Sequence, residues 1–270
     1  MKLKFKNSIA CALLALASIS CSKSSNDEII LPSPTEYGKI GLEFDNVYGS
    51  ADLILSTQVN TTSQNENLKI AQLKYIVSNI VLIKSDGSTY TYPKSKSYFI
   101  VDETDTSSQT LQLSDVPAGD YVGVKFGIGV DQEQFNLGAT GQGDFLTLAQ
   151  NEGMMWSWSA GYKFVKFEGT FTSSTVSSET SFMVHTGKTG TDYNYKEITL
   201  SFPEKALVRK TISPDVHIFA DASKIIDGTN KISLTSNNMG GMGAMIMSGT
   251  NLPLITSNLG GMFTVNHVHN

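Results

Sequence analysis

Residues 73–92 read LKYIVSNIVLIKSDGSTYTY, and this stretch decides the fold. An apolar run rich in β-branched residues, Leu73 to Ile83, meets Ser85-Asp86-Gly87-Ser88 and gives way to the alternating Thr89-Tyr90-Thr91-Tyr92. β-Branched and aromatic side chains suit a pleated, half-buried surface. Asp-Gly between two such runs signals a hairpin, because glycine takes the positive φ that a tight turn needs. The pattern repeats on both sides. Ile40, Leu42 and Phe44 alternate on one face, and TLQLSDVPAGDYVGVKFGIGVD (110–131) reads as a strand, a Pro117/Gly119 turn and a second strand. GYKFVKFEGTF (161–171), TSFMVHTG (180–187), EITLSF (197–202) and VHIFAD (216–221) continue it. Many short strands at regular spacing predict an all-β domain over residues 38–270, an antiparallel β-sandwich of immunoglobulin-like or jelly-roll-like form. Helical signals are few: Asp221–Gly228, with Asp221 as N-cap and Gly228 as stop, and Gly243–Met247, giving one or two short helices. SNNMGGM (236–242) and SNLGGMF (257–263) echo one another and read as two similar loops.

The start of the chain reads as an address. Lys2, Lys4 and Lys6 precede an apolar stretch, Ile9–Ile19, too short to span a membrane, and Ser20 precedes Cys21. Residues 1–21 are therefore expected to be a bacterial lipoprotein signal in which Cys21 is lipidated, placing the protein in the periplasm or at the outer membrane by a lipid anchor alone. Ser18 stands where leucine is more usual in such a signal. Residues 22–37, SKSSNDEIILPSPTEY, read as a flexible tether. The only other cysteine, Cys11, lies inside the signal, so a mature chain would carry no disulfide and no cysteine-ligated metal.

The formal net charge is −5 and becomes −8 without the three signal lysines, and Arg209 is the only arginine. That argues against nucleic acid as a partner. The chain lacks a Gly-x-Ser-x-Gly elbow, a phosphate-binding glycine loop and a His-Glu-x-x-His helix. No enzymatic activity is expected, and the carboxylate pairs Asp102/Glu103 and Asp131/Glu133 read as loop solvation or at most weak calcium binding.

Four histidines occur, and two of them are His267 and His269 in the closing MFTVNHVHN (262–270). On a strand, residues i and i+2 share a face about 6.6 Å apart, so both imidazoles could reach one ion. They share parity with Phe263 and Val265, which predicts a partly buried histidine face with Val268 opposite; a solvated tail is the bland alternative. His185 ends a strand beside a glycine-rich turn, where rigid scaffolds present side chains to loops, though a hydrogen-bonded structural histidine is equally compatible. His217 alternates with Val216 and Ile218 and reads as surface-facing or supporting. Met239, Met242, Met245, Met247 and Met262 crowd the last part of the chain. Thioethers select Cu(I), yet most of these methionines read as core gap-fillers, leaving Met262 as the candidate ligand. Trp156 and Trp158, two apart, share a face if extended and read as core, a sugar platform or an oxidisable site.

Together LKYIVSNIVLIKSDG, VPAGDYVGVKFGIGVD, GMMWSWSAGYKFVKFEG, VHTG and MFTVNHVHN resemble the MbnP-like family of copper-binding proteins, in its Bacteroidetes-type lipoprotein form. The resemblance runs from about Gly38 to His269 and is most specific in Met155–Phe164. It implies an exported β-protein that binds copper in acquisition, storage or delivery. It also implies pairing with a dihaem cytochrome c peroxidase-like enzyme able to oxidise a tryptophan to kynurenine. Carried over, it makes His185 of VHTG a copper-ligand candidate and Trp156 or Trp158 the oxidation candidate. One branch of the family carries Asn-His where this chain has DQEQFNLGAT (131–140), so a rearranged site with the terminal pair as ligands is expected. The competing expectation is a metal-free cell-surface sandwich that binds a glycan or partner protein through its tryptophan region.

Overall fold

The computed structural model describes residues 35–270; the signal segment, Cys21 and all but the end of the expected tether lie outside them. Two sheets are present. The smaller contains β1 (Tyr37–Tyr48), β2 (Ala51–Asp52), β7 (Thr110–Pro117), β13 (Asp215–Asp221) and β15 (Phe263–His269). The larger contains β3 (Asn60–Thr61), β4 (Asn67–Lys84), β5 (Thr89–Thr91), β6 (Tyr98–Asp102) and β8 (Gly119–Ile128). It is completed by β9 (Lys163–Thr172), β10 (Thr180–Thr189), β11 (Asp192–Tyr193), β12 (Lys196–Val208) and β14 (Ala244–Ile246). Among the described residues no helix is long and apolar enough to cross a membrane.

The sandwich follows from the alternation. Ile40, Leu42 and Phe44 of β1 are fully buried and face Tyr75, Val124 and Phe126 of the larger sheet across one apolar core. Phe44 knots the layers, lying 5.5 Å from Phe126, 6.0 Å from Phe263 and 6.1 Å from Tyr75, with each ring edge-on to it. The hairpin read at Ser85–Ser88 joins β4 to β5, with Val81 opposite Thr91 and Gly87 at φ +85°.

Three features depart from sequence expectation. β1 runs parallel to β13, and β10 parallel to β14, so the sheets are antiparallel with two parallel pairings. The Pro117/Gly119 turn hands the chain from the smaller sheet to the larger, since β7 pairs with β1 and β8 with β4 and β12. Residues 243–247 form no helix. Gly240, Gly241 and Gly243 hold positive φ, which breaks helical propagation, and the edge of β10 accepts Ala244–Ile246 as a strand.

The described residues form four short α-helices. α3 (Ser223–Asp227) falls where expected, but its N-cap is Ala222 rather than Asp221; Asp221, the last residue of β13, accepts from the Ser223 N–H at 3.0 Å, and Gly228 closes the helix. α1 (Gln132–Phe135) and α4 (Asn251–Asn258) carry no clear apolar stripe in the sequence, whereas α2 (Asp144–Asn151) buries Phe145 and Ala149, four apart on one face. The segment with α1 and α2 covers the outer face of the larger sheet, where Phe145, Met154, Met155, Tyr162 and Phe164 build a second small core on Ile76, Ile100 and Val130. Lys74 ties this segment down: its ammonium lies 2.7 Å from Asp102 and 2.8 Å from Glu152.

The carboxylate pairs are structural. Despite burial, hydrogen bonds from Asn79, the Gln134 N–H, Tyr98 and Lys94 bring Asp131 down to about 2. Glu103 behaves oppositely. Its carboxylate accepts from Asn46 at 2.9 Å and Gln109 at 3.0 Å, but burial pushes it from 4.5 up to about 7, with Asp52, Asp45 and Asp102 adding repulsion. A raised folded-state pKa contributes stability that is complete below 4.5 and lost as pH rises through 7. After allowance for solvent screening this amounts to about 1–2 kcal/mol. Denaturant unfolding at pH 5 and pH 8 should show that difference in the native chain, and Glu103→Gln should abolish it.

Candidate metal centre

The smaller sheet gathers three of the four imidazoles. β13 and β15 pair antiparallel, with His217 opposite His267 and Asp215 opposite His269. Val216 and Ile218 are fully buried and Val268 is nearly so, so all three histidines face outward from the core. The ring centroids of His217 and His267 are 4.8 Å apart, and those of His267 and His269 4.4 Å.

This corrects the expected parity. The register shifts between His217 and Ile218, whose partners are His267 and Val265, leaving Asn266 as the extra residue of a β-bulge. A bulge inserts one residue and flips every side chain beyond it. Phe263, Val265 and Val268 therefore face the core and the histidines face away from it. The strand is not a solvated tail: Asn270 accepts from the Leu207 N–H at 2.6 Å and donates to the Lys205 carbonyl at 2.9 Å.

The electrostatics favour a cation. Asp45 Oδ2 lies 3.2 Å from His217 Nε2, Glu43 of β1 aligns with His217, and Asp215 sits across from His269. A carboxylate at Nε2 draws the ring proton there and leaves the Nδ1 lone pair facing Asn266 Nδ2, 3.4 Å away. His267 Nε2 and His269 Nε2 are 2.8 Å apart, so one ring must hydrogen-bond the other or both must share a cation. Imidazole nitrogens lie about 2.0–2.1 Å from a bound first-row ion, so two at right angles, as in a tetragonal site, come about 2.8–3.0 Å apart. The pair thus fits an ion. Among the described residues no three His, Cys, Asp or Glu side chains already converge on one point; the pair supplies two nitrogens and His217 stands beside them.

The remaining candidates lie elsewhere. Val184 points into the main core, so its neighbour His185 projects from the outer face of the larger sheet, away from the smaller one. Packed sheets stand about 10 Å apart, and rings pointing outward from the two layers cannot share an ion. A single site combining His185 with His267 and His269, as expected from sequence, is therefore not built. His185 is buried at 3% exposure, with Nε2 at 2.6 Å from Glu168 Oε1 and Nδ1 without a hydrogen-bond partner. Burial holds the imidazole below its ordinary range, against the upward pull of Glu168.

Met262 is 1% exposed in the main core. It lies five residues from His267, about 16 Å along a strand, which removes it from the ligand set. The tryptophans do not share a face, because a turn rather than a strand carries them. Trp158 stacks on Phe135 at 5.0 Å, while Trp156 lies 6.0 Å from the His185 ring and 5.9 Å from the Lys163 ammonium. A two-indole platform is not formed. Asp45, Asn266 and Glu168 were missed by sequence reading. Only the register places them beside a histidine.

A family model described as MbnP matches residues 37–248. Among solved structures, MbnP from Methylosinus trichosporium is similar, with 15% sequence identity, 73% of this chain and 80% of that chain covered, and a TM-score of 0.47. No curated protein sequence matches.

Proposed function

The chain belongs to the MbnP family, and from that premise we propose that it is a copper-binding lipoprotein of the periplasm or outer membrane, serving copper acquisition, storage or delivery. The observation that carries the reading is the assembly of His217, His267 and His269 on adjacent strands, with two ring nitrogens 2.8 Å apart. His267 and His269 would hold the ion, with His217 as third donor oriented by Asp45. Metal-ligating histidines are commonly positioned by such a carboxylate. Bound copper would take the place of the N–H that one ring otherwise points at the other's lone pair. Imidazole donors favour Cu(II) over the other first-row divalent ions.

A second reading has its own support. The buried, unpartnered His185 Nδ1 beside Trp156 suits a ligand, and the family resemblance points to the same histidine. Of the two indoles, Trp156 is the better placed for oxidation by a dihaem peroxidase-like partner, since Trp158 is held in a stack.

The test counts copper per chain by mass spectrometry after loading with Cu(II) and desalting, with His267→Ala/His269→Ala alongside. We expect stoichiometric copper in the native chain and loss in the double variant. Ligand imidazoles must be unprotonated, so affinity should fall as pH drops through about 6.5. Copper retained by the variant would move the site to His185. Affinity unchanged between pH 7.5 and 5 would refute imidazole ligation at either place.

A further inference from the structure

Most of the methionines late in the chain do not fill the core. Of the five that crowd the end of the chain, Met239, Met242 and Met245 are 57%, 78% and 50% exposed, and Met247 is half-buried at the surface. Gap-filling explains only Met262. An exposed thioether gives up its apolar burial, so three of them in seven residues call for another account.

The larger sheet supplies one. β14 lies parallel to β10 with Met245 directly beside Met183. Their neighbours Phe182, Val184, Ala244 and Ile246 all point into the main core. Met183 and Met245 therefore stand together on the outer face, on strands about 4.8 Å apart. Met247, in the bend that follows β14, lines a surface depression with Trp156, Ala160, Lys188 and Thr189. Just before β14 the chain turns back on itself: the Met239 N–H donates to the Gly243 carbonyl at 3.2 Å and the Met242 N–H to the Met239 carbonyl at 3.1 Å. The positive φ of Gly240, Gly241 and Gly243 permits this turn, which leaves Met242 at its tip.

We propose that Met183, Met245 and Met247 form a thioether site for a soft monovalent metal cation, Cu(I) in the cell, on the sheet face opposite the imidazole trio. Thioether sulfur is a soft, neutral donor that selects Cu(I). It carries no titratable proton, so the site keeps its affinity where imidazoles lose theirs. The site does not depend on the trio of His217, His267 and His269: it shares no residue with them, and thioethers have no proton to lose.

Silver(I) is the probe, as a redox-inert monovalent soft ion. The protein, carrying ¹³C-methyl methionine, is titrated with silver nitrate at pH 5 and pH 7.5 and observed by NMR. We expect the methyl signals of Met183, Met245 and Met247 to move with the first equivalent at both pH values, and to move equally in His267→Ala/His269→Ala. Leucine conserves methionine volume closely, so Met183→Leu/Met245→Leu/Met247→Leu should fold and bind silver at pH 5 at least 10-fold more weakly. Methyl signals that stay in place, or a triple variant with unchanged affinity at pH 5, would overturn the site. If the triple variant fails to fold, the methyl shifts of the unaltered protein decide the matter alone. Loss of copper from the tail variant with the methionine shifts intact would leave both readings standing. Methionine shifts with no copper at the histidines would leave only this one.

Discussion

Lys74→Ala should destabilise the protein by about 3–5 kcal/mol, read as a drop in unfolding free energy by denaturant titration. Lys74 and Asp102 are both nearly buried, with side chains 9% and 8% exposed. Burial lowers the lysine's pKa, but hydrogen bonds to Asp102 and Glu152 outweigh it and hold the ammonium above its ordinary range. Burial likewise raises Asp102, and the bonds from Lys74 and Thr104 outweigh it. Removing the lysine strands a carboxylate that cannot reach water, which is why the loss exceeds that of a surface pair. Asp102→Asn in the Lys74→Ala background should recover part of it, because the stranded charge is gone. The same change should reach the tryptophan region. Glu152 directly follows α2, so releasing it loosens the segment leading to Trp156, and near-ultraviolet circular dichroism should weaken more than the far-ultraviolet signal.

Phe44→Ala should cost a similar amount, about 3–5 kcal/mol, through lost burial and the cavity left behind. Phe44 is fully buried and touches rings from both sheets, so no single layer can relax into the space. Its neighbours in sequence, Glu43 and Asp45, lie on the opposite face of β1, beside His217. Copper binding should therefore weaken along with stability, although Phe44 touches no histidine. An unchanged copper affinity in a destabilised variant would show that Asp45 does not position His217.

The sequence made the strands legible wherever alternation was strong. Ile40, Leu42 and Phe44, or Val216 and Ile218, betray both the element and the buried face. Alternation does not encode partners. Nothing in VHIFAD says that it lies parallel to β1, and it is that pairing, together with β15, that places His217 between Asp45 and His267. The pair His267/His269 was legible from spacing, but its face was not. The bulge at Asn266 is a one-residue register shift, and a shift of one reverses every inference from parity. Methionine misled for a related reason: its flexibility suits a core as well as a surface. Met239, Met242 and Met245 are separated from Met262 only by where β14 docks. α1 escaped because four residues are too brief to display a period.

The parallel β1–β13 ladder also sets a timetable. Gly41 pairs with Asp215 about 170 residues further along, and closing so long a loop must precede any gain from the contacts it brings. β1 can pair with β7 early, but the smaller sheet stays incomplete until β13 and β15 arrive. Refolding should thus be slow, in the millisecond-to-second range typical of non-local β topologies. The three imidazoles meet only at its last stage. A half-folded chain would present scattered histidines rather than a site, so copper added during refolding would be captured in step with the final docking of β15 and would time it.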